Sequence, residues 1–236
     1  MESISFTTSP EVSLFNSMGD DEAIVNAAKV SVRGDLIGDI DPESASSFID
    51  FLMRNRHGSP FEHTSMTFRI KAPIFVWREF MRHRVGFSYN EESARYRELN
   101  PEFYIPSRAR YQEGKPGHYD ITHAKEGDPV SEEMKAIMEV ASAQAYKHYQ
   151  GLLSEGVARE VARMVLPLNI MSSAYVTCNA RSLMNFLSLR VHDETAVYPS
   201  YPQYEIEQVA NVMESYLSEA FPLTYDAYVR RGRVSP

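Results

Sequence analysis

Apolar positions recur at helical spacing along most of the chain and at strand spacing in one central stretch. Residues 21–32 place Ile24, Ala27 and Ala28 on one side, which predicts a helix. Residues 42–55 predict another: Asp41 stands at the N-cap, Pro42 at the first helical position, and Phe48, Phe51 and Leu52 share a face. The turn His57-Gly58-Ser59-Pro60 breaks the pattern. Residues 64–71 then alternate, Met66, Phe68 and Ile70 against Thr67, Arg69 and Lys71, the period of a half-buried strand. Beyond Pro73 the period lengthens. Residues 75–84 predict a helix on which Arg78 and Arg82, four apart, share a face, and the polar stretch after it reads as a loop.

Residues 99–128 are rich in Pro, Gly, Tyr and Arg and predict an irregular surface excursion with an edge strand at 103–105. Ser131 is the expected cap of a long helix with Met134, Ile137, Met138, Ala141, Ala145, Tyr149 and Leu152 inward, ended by Gly156. A short helix is expected over 157–166, stopped by Pro167, then extended chain near 175–177. Residues 179–191 form a helix with Leu183, Phe186, Leu187 and Arg190 on one stripe; a last helix begins near Pro202 and carries Ile206, Val209, Met213, Tyr216 and Leu217. The first twenty residues mix short apolar runs with turn residues and suit a strand. No repeat and no Gly/Ser-rich linker interrupts the chain, so a single domain over residues 1–236 is expected.

Composition narrows the class. A hydrophobic fraction of 43% with 24% charged residues is that of a soluble globular protein. No apolar run approaches the ~20 residues of a membrane span, and Met-Glu-Ser-Ile-Ser-Phe lacks the basic and apolar regions of a signal peptide. The one cysteine, Cys178, excludes an internal disulfide and fits a reducing, cytoplasmic setting. A net charge of −8 argues against a nucleic-acid polymer as partner. Yet Arg78, Arg82, Arg84, Arg95 and Arg97 crowd into twenty residues, and that local reversal of sign suits a small anion. The run Arg82-His83-Arg84-Val85-Gly86-Phe87-Ser88-Tyr89-Asn90-Glu91-Glu92-Ser93-Ala94-Arg95-Tyr96 combines guanidinium forks for phosphate with hydroxyls and amides for sugar or base edges. His57, Glu62 and His63, with His192-Asp193 downstream, match no zinc spacing, so no metal is expected. Neither a Gly-x-Gly-x-x-Gly run nor a P-loop is present.

Four ordered blocks resemble the flavin-dependent thymidylate synthases: His57-Gly58-Ser59-Pro60-Phe61-Glu62-His63; Arg82-His83-Arg84 followed by Ser93; Glu160-Val161-Ala162-Arg163-Met164-Val165-Leu166-Pro167-Leu168-Asn169; and Asn179-Ala180-Arg181-Ser182-Leu183-Met184-Asn185-Phe186-Leu187-Ser188-Leu189-Arg190. The likeness spans about 31–190. Two features depart from the family. Residues 85–92 are one longer than the usual signature, with the extra residue near Gly86 or Phe87, and Glu79 stands where the family often has glutamine. A carboxylate cannot donate as an amide does.

The resemblance implies an α+β fold, a mainly antiparallel sheet with packed helices, and conversion of dUMP to dTMP. It implies 5,10-methylenetetrahydrofolate as carbon donor, FAD reduced by NADPH as hydride donor, and no cysteine nucleophile. Cys178, flanked by apolar residues and without an adjacent base, suits a structural role. Arg82, His83, Arg84, Glu91, Asn179, Arg181 and Asn185 match flavin positions, with Ser31 and Ser59 as further contacts and His57 near folate and flavin. Arg78, Glu79, Arg82, Glu91, Glu92, Ser93, Ala94, Arg95, Arg163 and Arg190 match the nucleotide site. Arg190 is the implied catalytic residue, its fixed charge favouring an anionic pyrimidine; on an apolar stripe it also reads as a snorkelling stem. The resemblance further implies a homotetramer with active sites shared between subunits, so that Arg82, Arg95, Arg163 and Arg190 converge on one anionic cleft. A non-catalytic nucleotide- or flavin-binding regulatory protein is the principal alternative, and an RNA-binding module a third. Residues 194–203 read either as a lid beside Arg190 or as a surface insertion.

Overall fold

In the computed structural model, which describes residues 3–34, 41–115 and 118–236, strands β1 (Ser5–Thr7) and β2 (Glu11–Met18) lead into helices α1 (Asp21–Arg33) and α2 (Pro42–Arg54). A 3-10 turn (Ser59–His63) precedes β3 (Ser65–Pro73), α3 (Ile74–Phe80), β4 (Phe87–Glu91), β5 (Glu102–Tyr104) and the strands β6 (Arg110–Lys115) and β7 (His118–His123). There follow α4 (Pro129–Ser154), α5 (Arg159–Ala162), a 3-10 turn (Arg163–Val165), β8 (Met171–Cys178), α6 (Ala180–Arg190), α7 (Tyr204–Ala220) and α8 (Pro222–Arg230). The α+β class expected from the sequence holds. The chain clusters into two compact units: one of residues 1–11, 71–80 and 91–174, the other of 12–70, 81–90 and 175–236.

In the first unit β1 pairs with β5 in parallel, Phe6 opposite Phe103, while β6 and β7 form an antiparallel hairpin. The sequence predicted no hairpin in this tract; residues 116–117 lie outside the described residues. The core gathers Leu99, Phe103, Tyr146, Tyr149 and Ile170. Helix α4 is turned relative to its apolar pattern. Asp128, not Ser131, caps it, accepting from Val130 N at 2.8 Å, and Ser131 is instead buried with its hydroxyl accepting from Ala109 N at 3.0 Å. Ser142 and Tyr146 are buried, while Ile137 is 60% exposed. The buried polar groups explain the turn: Asn169 Nδ2 donates to Ser142 Oγ at 3.1 Å, and Tyr146 Oη donates to Leu99 O at 3.1 Å.

The second unit holds most of a four-stranded sheet in the order β2–β3–β8–β4. Met66, Phe68 and Ile70 are buried as the alternation requires, and Thr67 Oγ1 lies 2.9 Å from Thr177 Oγ1 on β8. Asp20 and Asp41 cap α1 and α2, and Asn179 caps α6, accepting from Ser182 N at 2.8 Å. Ile24, Leu183, Phe186, Leu187, Ile206, Val209, Met213 and Leu217 fill the core on the predicted stripes, whereas α2 buries Ala45, Ile49, Leu52 and Met53 and leaves Phe51, expected on its inner face, 41% exposed.

Three expectations near the site change. The helix expected over 75–84 ends at Phe80, so the shared helical face proposed for Arg78 and Arg82 does not form. Tyr89 Oη donates to His83 O at 2.8 Å and Gly86 takes φ +68°, which turns the chain back into β4 where a loop was expected. A further helix, α8, follows α7 after Pro222. The 194–203 tract is pinned: Val197 N donates to Gly232 O at 2.9 Å, and His192 Nδ1 lies 2.6 Å from Ser200 O.

Candidate functional site

Four elements of the first unit line a cleft of about 570 Å³. The end of β4 and the segment after it bring Glu91, Glu92, Ser93 and Ala94; α5 and the turn after it bring Glu160, Arg163 and Met164; the start of β8 brings Ser172, and Ile74 opens α3. Leu99, Leu166 and Leu168 complete apolar walls around the charged groups. Both acids at the end of β4 are held by β8. Ser172 Oγ donates to Glu91 Oε1 at 2.6 Å, and Ser173 N donates to Glu92 Oε1 at 2.8 Å. Glu92 also pairs with Arg97 at 3.3 Å. Burial pushes the Glu91 carboxyl up, against the Ser172 hydrogen bond, which pulls it down. Ser93 closes a tight turn, its hydroxyl accepting from Arg95 N at 3.3 Å. Arg95 pairs with Glu160 at 3.2 Å, both half-exposed, whereas Arg163 is exposed and has no ion pair among the described residues. A free guanidinium beside a second one held by an exchangeable carboxylate is an arrangement that accepts an anion. Arg78 and Glu79 sit on α3, outside the cleft's lining, Arg78 exposed and Glu79 half-buried.

In the second unit the N-terminus of α6 collects three distant segments. Thr64 Oγ1 accepts from Ala180 N at 3.0 Å, tying α6 to the turn after α2. A Cβ added at Gly58 would lie 2.4 Å from Arg181 Nε, and one at Gly86 would lie 2.0 Å from Ser182 Oγ. Arg181 donates to Glu62 Oε1 at 2.6 Å and to Pro236 O at 2.7 Å. Arg82 and Arg84 are exposed and form no ion pair among the described residues; Asn185 and Ser59 are exposed as well. His57 is exposed with its ring 5.8 Å from Phe51, and Ser31 spends its hydroxyl on Ala28 O of its own helix at 3.3 Å.

His83, between the two exposed arginines, is 8% exposed and packs edge-on against Phe186 at 4.8 Å. Its Nε2 accepts from Arg190 Nε at 3.0 Å. Burial, reinforced by the Arg190 charge, pushes its pKa down to about 4, so the ring is neutral near pH 7. Arg190 is thus anchored in part by a neutral imidazole. Cys178 is buried, and burial pushes its thiol well above the ordinary range, which removes it as a nucleophile.

A family model described as thymidylate synthase complementing protein matches residues 13–223. A flavin-dependent thymidylate synthase from Streptomyces avermitilis is 52% identical over 98% of this chain and 96% of its own length, and one from Streptomyces coelicolor is 53% identical over 95% and 93%. The chain belongs to the flavin-dependent thymidylate synthase family. A solved structure of a UMP/dUMP methylase, PolB from Streptomyces cacaoi, bound with 5-Br dUMP, superposes with a TM-score of 0.91. It is 46% identical and covers 99% of this chain and 100% of that one; the same protein bound with 5-Br UMP gives 0.90.

Within this thymidylate synthase chain, the structure brings Glu91, Glu92, Ser93, Ala94 and Arg163 to one cleft, with Arg95 held at its edge by Glu160. Arg82 and Arg190, also expected at the nucleotide, belong to the second unit with His83, Arg84, Asn179, Arg181 and Asn185. Sequence reasoning missed Ser172, Glu160 and Met164. Glu160 stands in a block that carries the family resemblance, three before Arg163, so helical spacing could have exposed it; Met164, next to Arg163, gave no such signal. Ser172 gave no signal, because a serine in a short strand reads as filler.

Proposed function

We propose that this chain catalyses the reductive methylation of dUMP to dTMP, as one 236-residue catalytic domain acting in the cytoplasm as a homotetramer. The observation that carries the reading is Arg163, a guanidinium without an ion pair among the described residues that shares one cleft with Ser93 in a chain of this family. Ser93, Arg95 and Arg163 bind the nucleotide phosphate, with Glu160 giving up Arg95 as the phosphate arrives. Glu91 offers its second carboxylate oxygen to a hydroxyl or N–H of the nucleoside, and Ile74, Ala94 and Leu99 exclude water.

The second unit's donor set fits FAD. Arg82 and Arg84 present cations without ion pairs among the described residues, Asn185 an exposed amide, and the Gly58 backbone approaches Arg181 more closely than any side chain would allow. When bound and reduced by NADPH, FAD supplies the hydride; 5,10-methylenetetrahydrofolate supplies the carbon, with His57 near both. Arg190 places a fixed positive charge at the pyrimidine and so favours the electron-rich ring that attacks the carbon donor. One subunit provides Arg82, His83 and Arg84 and a neighbour the 93–95 turn. A buried, unreactive Cys178 agrees with a route that uses no thiol.

The purified protein should be yellow or take up flavin, and dUMP should accelerate oxidation of its reduced flavin in the presence of the folate. A colourless protein that fails to take up flavin, or a flavoprotein indifferent to dUMP, would instead support a regulatory nucleotide-binding role. One observation favours a second substrate. The 46%-identical solved relative is a UMP/dUMP methylase, and small or apolar walls reject an added hydroxyl only weakly. Parallel assays with UMP and dUMP decide it.

A further inference from the structure

The Ser172 hydroxyl, which matches no position assigned to the nucleotide or the flavin, touches the one cleft acid that is not otherwise fixed. Ser172 is 2% exposed, and its place is set from behind: Trp77 Nε1 donates to Ser172 O and to Ala72 O, both at 3.1 Å. Its neighbour Ser173 locks Glu92 through a bond in each direction, Glu92 N to Ser173 O at 2.9 Å and Ser173 N to Glu92 Oε1 at 2.8 Å. Arg97 takes the other Glu92 oxygen. The Glu92 carboxylate is therefore committed. Glu91 has one hydrogen bond among the described residues, from Ser172 Oγ to Oε1 at 2.6 Å, and its Oε2 is left for a ligand.

We propose that Ser172 is a positioning residue, whose hydroxyl orients Glu91 and holds it as a carboxylate acceptor toward the nucleotide. The inference rests on the nucleotide reading of the cleft. The O–H···O bond fixes the side chain torsion, so that Oε2 need not lose rotamer freedom when the nucleotide arrives. It also opposes desolvation, which favours the protonated acid that could not accept a second donor in the same way. The charged groups on the cleft walls around Glu91 are Glu92 on its own segment and Glu160 and Arg163 from the α5 side. The Glu92 charge disfavours a second carboxylate at Glu91, so the Ser172 bond opposes that repulsion as well as burial.

Ser172→Ala and Ser172→Thr should be compared with the wild-type holoenzyme. Thr keeps the hydroxyl and suits a strand. In S172A the KM for dUMP should rise about tenfold, the loss of one hydrogen bond to a charged group, with kcat changed much less. The acid limb of kcat/KM should move to higher pH, because removing the donor raises the Glu91 pKa; S172T should restore both. A 13C NMR titration of the Glu91 carboxyl, assigned with E91Q, reads the coupling without turnover and should show a higher pKa in S172A. An unshifted Glu91 titration in S172A, or equal damage in S172A and S172T, overturns the proposal. Should the wild-type protein ignore dUMP while Glu91 still shifts in S172A, the coupling stands and the nucleotide reading fails instead.

Discussion

Arg163 presents its guanidinium to the cleft without an ion pair among the described residues, whereas Arg95 already carries Glu160. A charge-assisted hydrogen bond to phosphate is worth roughly 1.5–3 kcal/mol, so Arg163→Ala should raise the KM for dUMP by about 10–100-fold. Steady-state kinetics with saturating folate and reductant checks it; an unchanged KM would remove Arg163 from the phosphate site. His83 makes a different prediction. Its folded pKa, about 4, lies below the ordinary 6.5, so the unfolded chain takes up the proton first as pH falls. The stability owed to the neutral ring is fully present above pH 6.5 and is lost as the pH drops toward 4, a change of roughly 3 kcal/mol. Urea midpoints measured from pH 7.5 down to 4.5 should fall less steeply for His83→Gln, which cannot titrate but can still accept from Arg190. Parallel slopes for the two proteins would mean that His83 is not held neutral.

At the level of elements, the N-terminus of α6 is where the fold has least room. Gly86 combines φ +68° with a hypothetical Cβ 2.0 Å from Ser182 Oγ and 2.9 Å from Asn179 Nδ2. Gly86→Ala costs about 1 kcal/mol for the left-handed backbone alone. The clash adds to it, so the melting temperature should drop by several degrees. Displacing this turn also moves Arg84, so flavin retention should fall with stability; calorimetry and visible absorbance measure the two. A variant that melts normally and stays yellow would show that the turn tolerates a side chain. The one-residue-longer signature was visible in the sequence, and so was a glycine near the insertion. That the glycine seats the loop on α6 was not, because the Ser182 contact spans ninety-six residues of chain. The same division holds elsewhere. Period and caps gave α1, α2, β3 and α6, since local propensity and burial agree there. They misjudged α4, where Ser131 and Ser142 are buried as hydrogen-bond acceptors for distant segments, and they missed β4, where the buried His83 and the Tyr89 hydroxyl redirect the chain.

At the level of the whole molecule, the candidate residues fall into two groups with different chemistry: a cleft with acids and phosphate-type cations, and a second unit with exposed Arg82 and Arg84 and a helix start approached closely by glycine backbone. Among the described residues no helix is long and apolar enough to cross a membrane. The proposed assembly requires the two groups to meet across subunits, which makes a quantitative prediction. Arg190→Ala protein, inactive alone, and Ser93→Ala protein, only weakly active and with a raised KM for dUMP, are unfolded together, refolded as mixed tetramers and purified as confirmed hybrids. When each site takes Arg190 from one chain and Ser93 from another, random mixing leaves about one site in four with both wild-type residues. Activity should therefore return to about a quarter of the wild-type value. When both residues come from the same chain, every site keeps one lesion and no activity returns. The kinetics of the recovered quarter add a second check: intact sites have the wild-type KM for dUMP, whereas recovery through partial function of damaged sites would carry the raised KM of the Ser93→Ala parent.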